Sequence, residues 1–222
     1  MGYCDRGLNT PNQLSRRGPH LRAWLSPADI PRSADLIFVL AGRVDRKEYA
    51  LELFRQGLAP RLLFSVGRFE IRRFSKMALP VPLDLLKRAQ ELPPPQRHYF
   101  VFFDGRQVQV EHVPPRRFGT LTEIDTLARW LSANPDICSV LVVSSDTHLR
   151  RIRMCCRSLL SPKVELAFLS APPSLPEQHA PTRSEWQQDQ PQPAKRSVFA
   201  AAKEELLELF KLAIYWVLLK IR

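Results

Sequence analysis

Cysteine is scarce in this chain of 222 residues, with four copies, and no CxxC pair occurs. That usage argues against a zinc site and excludes a disulfide scaffold, so no metal site is predicted. It is also compatible with a reducing cytoplasm. No apolar run is long enough for a signal peptide, or for the ~20 residues that span a bilayer. We therefore expect a cytoplasmic protein without a transmembrane helix.

Several motifs that mark known chemistries are also missing. The chain has no GxGxxG or GxxxxGK[ST] phosphate-binding fingerprint and no GxSxG elbow of a serine hydrolase. Acidic residues are fewer than basic ones: the chain has 22 Asp and Glu and 33 Lys and Arg, which gives a net charge of +11. Such a surplus favours an anionic partner, whether phosphate, nucleotide, nucleic acid or acidic membrane, without choosing among them.

Short apolar runs alternate with helical patterns along the chain. Residues 34–41 and 138–143 are apolar on both faces, which is typical of strands covered on both sides. Residues 61–66 and 164–169 are predicted as further strands. Strands that alternate with helices indicate a parallel sheet. We therefore predict one α/β domain over residues 34–222, a Rossmann-like three-layer α/β/α arrangement with a mainly parallel sheet.

The remaining segments are predicted from their turn and proline content. Residues 98–113 form a β-hairpin insertion, because the Asp104-Gly105 pair is a strong hairpin signal. Residues 1–33 are polar and basic and are predicted to be a flexible arm. Residues 171–196 are rich in Pro and Gln, which predicts an extended or partly disordered loop. A long helix over residues 198–219 closes the chain.

The loops that follow the parallel strands are the candidate ligand loops. In such sheets the carboxyl ends of the strands share one edge, and ligands bind there. Backbone N–H groups at a strand-to-helix turn attract anions, and arginines add charge-assisted hydrogen bonds. Gly42 and Gly67 have the alternative role of simply ending strands. The residues predicted to bind ligand at these turns are Gly42, Arg43, Arg46, Ser65, Gly67, Arg68, Ser144 and Ser145.

His148 and Glu123 are the candidate catalytic residues. A histidine has a reference pKa of about 6.5, which suits acid–base chemistry, and Glu123 could exchange protons with it if their loops converge. Both residues also have a structural alternative. A histidine near a helix start is often a cap or a core hydrogen-bonder, and Thr120 with Glu123 fits an S/T-x-x-E capping box. The sequence leaves both alternatives open.

The order of these motifs resembles the YdcF/SanA/ElyC-like family, a bacterial group long catalogued as a domain of unknown function. The likeness begins with an Ala-Asp pair and an apolar strand that ends in glycine, and it extends from residue 34 to the C-terminus. The other matching positions are Arg46, Ala50, Gly57, Ala59, Pro60, Ser65, Gly67, Thr120, Glu123, Ser144, His148 and Arg151.

The resemblance adds expectations about the site and the role of the protein. It implies that Thr120 and Arg151 belong to the ligand site, and it suggests a role in envelope or cell-wall metabolism without supplying a reaction. The cofactor stays open, with S-adenosylmethionine or another nucleotide-like molecule as candidates. Three positions depart from the family pattern, because Arg43 and Arg68 stand where glycine is usual and Ile124 follows Glu123 in place of asparagine.

Three functions remain open at this point. The first is binding of a small anionic ligand, phosphate-bearing or nucleotide-derived, with or without catalysis. The second is a non-catalytic interaction or regulatory protein with a degenerate site, which the three departures favour. The third is nucleic-acid binding by the basic helix at residues 147–160, ranked last because no RNP, zinc-finger or helix-turn-helix signature is present.

The final helix carries an apolar surface that covers most of its circumference. Packing against the sheet is the simpler interpretation. The alternative is a peripheral membrane contact, to which Lys211, Lys220 and Arg222 would contribute positive charge. The sequence leaves the oligomeric state open.

Overall fold

The computed structural model describes residues 24, 28–114, 119–172 and 198–221. Most of the predicted arm at residues 1–33 and of the Pro/Gln-rich loop at residues 171–196 lies outside this part of the chain. The described elements, in chain order, are β1 (Leu36–Val39), α1 (Val44–Arg55), β2 (Arg61–Val66), α2 (Ile71–Phe74), α3 (Leu85–Gln90), a 3₁₀ turn (Pro94–Gln96), β3 (Tyr99–Asp104), β4 (Gln107–His112), α4 (Gly119–Ala133), β5 (Ser139–Ser144), a 3₁₀ turn (Asp146–His148), α5 (Leu149–Leu159), β6 (Glu165–Ser170) and α6 (Val198–Ile221).

The six strands form one sheet in the order β4-β3-β2-β1-β5-β6. The strands β2, β1, β5 and β6 are parallel, and the antiparallel hairpin β3–β4 extends the sheet beyond β2. The predicted α/β fold with a mostly parallel sheet, an added hairpin and a C-terminal helix is therefore confirmed. From β1 the chain moves outward to β2 and later returns to β5 on the other side of β1. This reversal places a topological switch point between β1 and β5.

Both faces of β1 are buried, as its continuous apolar run predicts. Leu36 and Phe38 belong to the core under α4, α5 and α6. Ile37 and Val39 belong to the core on the opposite face, under α1, α2 and α3. Because successive strand residues point to opposite faces, a strand covered on both sides needs apolar residues at every position.

The start of β1 is tied to the start of β5 by one carboxylate. Asp35 Oδ2 accepts hydrogen bonds from the N–H of Cys138 at 2.9 Å, and from the N–H and the hydroxyl of Ser139 at 2.8 Å each. The hydroxyl hydrogen bond and the two N–H groups lower the pKa of Asp35, against a smaller opposing effect of burial. This contact fixes the parallel register at the amino end of the sheet, opposite the edge where the parallel strands end.

The edge strand β6 is bordered by the end of the predicted arm. The N–H of Asp29 donates to the carbonyl of Phe168 at 2.7 Å, and its carboxylate accepts from the N–H of Phe168 at 2.8 Å. Asp29 also pairs with Arg153 of α5 at 2.6 Å. The residues just before β1 therefore lie against the domain.

The helices α2 and α3 are shorter than their patterns predict. The residue patterns at 69–77 and 83–92 predict a helix over each range, whereas α2 has four residues and α3 has six. The side chain of Glu70, at the start of α2, turns inward to other contacts. At α3 the Asp84 carboxylate caps the helix by accepting from the N–H of Lys87 at 3.1 Å, and proline follows soon after.

Candidate functional site

Charged and polar side chains gather where β1, β2 and β5 end. The group has six members. Five of them are almost fully buried, with at most 8% of their surface exposed. The sixth, His98, keeps 21% of its side chain exposed. Buried charges are costly unless they are paired and hydrogen-bonded, so their contacts determine what the site can do. We call this group the edge cluster; its members are Arg46, Lys47, Ser65, Glu70, His98 and Glu123.

Glu123 joins α4 to the ends of β1 and β2. Its Oε1 atom accepts the N–H of Ala41 at 2.8 Å and the hydroxyl of Ser65 at short range. The capping-box alternative is therefore wrong. Gly119 is already helical, so Thr120 lies inside the first turn and not at the N-cap, and the Glu123 carboxylate serves the strands and not its own helix.

Glu70 occupies the turns that follow β1 and β2. Its Oε1 atom accepts the N–H of Gly42 at 2.6 Å and of Gly67 at 3.2 Å, and its Oε2 atom pairs with the fully buried Lys47 ammonium. Burial lowers the pKa of Lys47, and the charge of Glu70 opposes that effect. We expected the Gly42 N–H to face a ligand phosphate, but the structure places a protein carboxylate there.

Arg46 connects the end of β1 to the turn after β5. Its Nη1 atom donates to the Ala41 carbonyl and its Nε atom to the Ser145 hydroxyl, both at 2.9 Å. Burial lowers the pKa of Arg46, and the charges of Glu123 and Glu70 oppose the effect. Gly42 has φ +132°, and a Cβ there would lie 2.9 Å from Arg46 Nη1, so the turn requires glycine for two reasons.

His98 lies at the open end of the hairpin, beside the edge of the sheet. Its backbone N–H donates to the Gln96 carbonyl, and its carbonyl accepts the N–H of Val113, both at 2.8 Å. Its Nε2 atom lies 2.7 Å from the Ser65 hydroxyl and 3.7 Å from Glu123 Oε1. Burial lowers the pKa of His98, and the charge of Glu123 opposes this. The ring is therefore neutral near pH 7.

A second group of charges, which we call the helix cluster, joins α5 to α6. The buried Glu208 carboxylate pairs with Arg151 Nη1 at 2.7 Å, Lys211 Nζ at 2.8 Å and His148 Nδ1 at 3.2 Å. Burial alone would raise the pKa of Glu208. The hydrogen bonds from His148 and Lys211 and the charge of Arg151 outweigh that effect and lower the pKa to about 2. His148 therefore pairs with Glu208, whereas Glu123, with which it could have exchanged protons had their loops converged, contacts Ala41 and Ser65 instead.

Two other predicted residues lie at this part of the edge. The Ser144 hydroxyl is fully buried and has no hydrogen-bond partner among the described residues, and the same holds for Arg151 Nε. Thr120 hydrogen-bonds the Tyr215 hydroxyl of α6, whose pKa is raised mainly by burial. Arg151 lies 5.4 Å from the centre of the Tyr215 ring. Tyr215 of α6 thus joins the start of α4 to Arg151 of α5.

Arg43 and Arg68, which depart from the family pattern, lie at the surface. Arg43 pairs with Asp45 at 2.9 Å, and the Arg68 guanidinium stacks 4.4 Å from the centre of the Phe69 ring. Both residues are exposed. The structure therefore brings Arg46, Ser65 and Glu123 together and places the two departing arginines outside that group.

Four residues of the two clusters were not among our predictions: Lys47, Glu70, His98 and Glu208. Nothing in the local pattern distinguishes Lys47 or Glu70 from surface residues. Glu208 follows Glu205 by one helical turn, so the sequence pattern of the final helix did not distinguish it as a buried charge. His98 was assigned to the hairpin, which we treated as a local elaboration.

Two surface cavities lie away from both clusters. One of about 600 Å³ lies beside β6 and includes Asp29 and Arg153 in its lining. The other, of about 340 Å³, lies at the amino end of β5 and includes Ile137 and Cys138. We assign the candidate site to the strand ends despite these cavities, because the switch-point position and the charged side chains coincide there.

No three His, Cys, Asp or Glu side chains in the described part of the chain are grouped to hold a metal ion. None of the described helices has both the length and the hydrophobicity that crossing a membrane requires. Comparison of the chain with models of known protein families, with curated proteins and with solved structures gave no significant match. The likeness to the YdcF/SanA/ElyC-like family therefore stays a prediction from the motifs.

Proposed function

We propose that the carboxyl-end edge of the sheet binds a small anionic ligand, either phosphate-bearing or nucleotide-derived. The observation that supports this is a set of buried basic side chains close to the strand ends. Arg46 and Lys47 are matched by Glu70 and Glu123, whereas in the helix cluster the Glu208 carboxylate faces both Arg151 and Lys211. Arg46, Lys47 and Arg151 thus bring positive charge to the part of the fold that follows the switch-point strands, where ligands of such sheets bind.

Unpaired hydrogen-bonding atoms at the same place support the proposal. Buried polar atoms nearly always have partners, so each exception calls for an explanation. The Ser144 hydroxyl and Arg151 Nε are two such exceptions among the described residues. A hydroxyl and a guanidinium N–H are both donors, and phosphate oxygens are strong acceptors.

A different observation favours the non-catalytic alternative. The Glu70 carboxylate accepts the N–H groups of Gly42 and Gly67, which are the donors that a phosphate at the first two turns would use. The ligand proposed here therefore lies on the side of Ser144 and Arg151. If that side binds no anion either, the protein is better described as an interaction protein with a degenerate site.

Thermal unfolding of the full chain with candidate ligands tests the proposal. The panel consists of inorganic sulfate, inorganic pyrophosphate, ADP and S-adenosylmethionine, with adenosine as the uncharged control. A ligand at about 100 times its Kd stabilises the folded state by about 2.7 kcal/mol. For a chain of this size that corresponds to a rise in Tm of about 5–10 °C. Absence of a shift with every anion would refute the proposal.

Paired variants locate the binding site. Arg151→Gln removes the charge placed beside the switch point, whereas Arg157→Gln removes an exposed charge from the same helix. We expect the first variant to reduce the ligand-induced shift strongly and the second to preserve it. Unfolding without ligand corrects for any change in basal stability. Equal effects of the two changes would mean that the anion binds elsewhere.

We also propose that the exposed face of α6 contacts anionic membrane surfaces. The face includes six large apolar residues that are 46% or more exposed: Leu206, Leu207, Phe210, Trp216, Val217 and Ile221. Among the α6 side chains that the structure describes, the exposed charges are Lys203 and Lys220, while Glu205 and Glu208 are buried. An apolar face with basic residues at its ends is suited to an anionic bilayer surface.

Co-sedimentation of the full chain with vesicles tests the membrane proposal. Binding to vesicles that contain phosphatidylglycerol should exceed binding to vesicles of phosphatidylcholine alone. The double change Phe210→Ser and Val217→Ser should reduce it at least tenfold, since each apolar side chain contributes about 1.5–3 kcal/mol when fully buried. Phe69→Ser, an exposed aromatic residue outside α6, is the matched control. Concentration-dependent self-association without vesicle binding would instead indicate that a second copy covers this face.

A further inference from the structure

Three hydrogen-bond donors from separate parts of the chain converge on one carboxylate at the edge of the sheet. The N–H of Gly42 follows β1 and the N–H of Gly67 follows β2, and both donate to Glu70 Oε1, at 2.6 and 3.2 Å. The third donor is the ammonium of Lys47 in α1, which pairs with Glu70 Oε2. Backbone N–H groups beside a cation are the donors with which proteins bind carboxylates and phosphates.

The three donors belong to the frame of the fold, whereas their acceptor does not. Gly42 and Gly67 follow two neighbouring parallel strands, and the side chain of Lys47 is fully buried. Glu70 reaches the same point from a turn, three residues after Gly67. The backbone of that turn has its own hydrogen bond, from the N–H of Glu70 to the carbonyl of Gly67 at 2.9 Å. Loss of the carboxylate should therefore leave the donors in place.

The donors lie near the surface of the domain. Gly42 is exposed and Gly67 is half-buried, although only 7% of the surface of Glu70 is exposed. A Cβ on Gly67 would lie 3.3 Å from Glu70 Oε1, so the lack of a side chain there makes room for the oxygen. A small anion from solvent could accordingly take the place of the carboxylate if the carboxylate were removed.

We infer that the turns after β1 and β2 form an anion-binding site that the chain fills with its own Glu70 carboxylate. Glu70 thereby determines specificity, because it excludes external anions from these turns and leaves the side of Ser144 and Arg151 to them. This consequence rests on the proposed function, whereas the filled site itself does not. A ligand with one anionic group suits such an edge, since a second group would find the donors of the first two turns occupied.

Acetate is the probe for the filled site, because Glu70→Ala removes a fragment of the side chain that matches one acetate ion. Thermal unfolding of the full chain at about pH 7 is followed with sodium acetate, with uncharged acetamide and with sodium chloride at equal ionic strength. At about ten times its Kd, acetate should raise the Tm of Glu70→Ala by about 3–6 °C more than it raises the Tm of the native chain. Acetamide and chloride should not produce this additional rise.

Three further variants assign the effect to this position. Glu48→Ala removes an exposed carboxylate of α1, next to Lys47 in the sequence, and should respond to acetate as the native chain does. Glu70→Gln preserves the volume of the side chain, so the site stays filled and no additional rise is expected. Adding Lys47→Met to Glu70→Ala removes the cation and should abolish most of the additional rise.

Refolding replaces melting if Glu70→Ala does not fold by itself. Its far-UV circular dichroism after dilution from urea is then compared in acetate, acetamide and chloride. Folding in acetate but not in the other two solutions supports the inference, whereas failure to fold in all three overturns it. An additional rise of equal size in chloride or acetamide would also overturn it, because the effect would then not depend on a bound carboxylate.

Adding Arg151→Gln to Glu70→Ala separates this inference from the proposed function. The additional rise should persist, because Arg151 belongs to the helix cluster, and its loss would mean that acetate binds beside Arg151 instead. If the native chain binds no anion but Glu70→Ala gains the acetate effect, the proposed function has failed and the filled site stands. If the native chain binds an anion and Glu70→Ala gains nothing, only the inference is overturned.

Discussion

Removing the negative charge of Glu208 should weaken the attachment of α6 in a pH-dependent way. Glu208 is buried, and its carboxylate accepts from Arg151, Lys211 and His148. The change Glu208→Gln retains an acceptor oxygen and nearly the same volume, so its main effect is electrostatic. It leaves two cations without their shared anion.

The pKa of Glu208 gives the size of the effect. Its value of about 2 in the folded protein lies below the usual 4.5. Because one pKa unit is worth about 1.4 kcal/mol, ionised Glu208 contributes about 3 kcal/mol to the free energy of unfolding at neutral pH. The contribution is fully present above pH 4.5 and is lost as the pH falls towards 2. At pH 3 roughly half of the contribution remains.

Urea denaturation followed by far-UV circular dichroism, at pH 7 and at pH 3, measures this contribution. Glu208→Gln should lower the free energy of unfolding by about 3 kcal/mol at pH 7 and by about half as much at pH 3. The matched control is Glu48→Gln, an exposed carboxylate on α1, which should change stability by less than about 0.5 kcal/mol. A loss of the same size at both pH values would refute the electrostatic reasoning.

Three further results are expected. Lys47→Met should cost about 3–5 kcal/mol by leaving the Glu70 carboxylate buried without its cation, and adding Glu70→Gln should recover part of that loss in a double-mutant cycle. Asp35→Ala should lower the free energy of unfolding by about 1–3 kcal/mol, since two N–H groups at β5 lose their acceptor. A thiol-reactive disulfide reagent should label exposed Cys138 in the native chain and spare Cys155, whose pKa burial raises to about 12. Losses that simply add in the double-mutant cycle would contradict the first expectation. An unchanged denaturation midpoint for Asp35→Ala would contradict the second, and rapid labelling of Cys155 would contradict the third.

The strands were predictable because the sheet imposes its pattern locally. A strand covered on both faces needs apolar residues throughout, and residues 34–41 and 138–143 show that pattern directly. The Asp104-Gly105 turn was predictable for a similar reason. Gly105 has φ +56°, a conformation that glycine adopts without steric cost.

The pairings at the strand ends could not be predicted, because they depend on how separate segments approach each other. Lys47 lies in a polar helical stretch, and only the turn before α2, 23 residues later, supplies Glu70. Glu123 matches a local capping motif, yet its carboxylate reaches Ala41, 82 residues away. Short-range patterns favour local hydrogen bonds, whereas the fold here uses the same side chains to join distant turns.

The two clusters differ in what their charges can do. In the edge cluster each cation has a matching carboxylate, and a buried pair of this kind contributes little net stability compared with apolar residues of the same size. The edge cluster instead fixes the position of the turns after β1 and β2, because the Glu70 and Glu123 carboxylates accept hydrogen bonds from backbone N–H groups of these turns. Turns held in this way need no rearrangement when a ligand arrives, which lowers the entropic cost of binding.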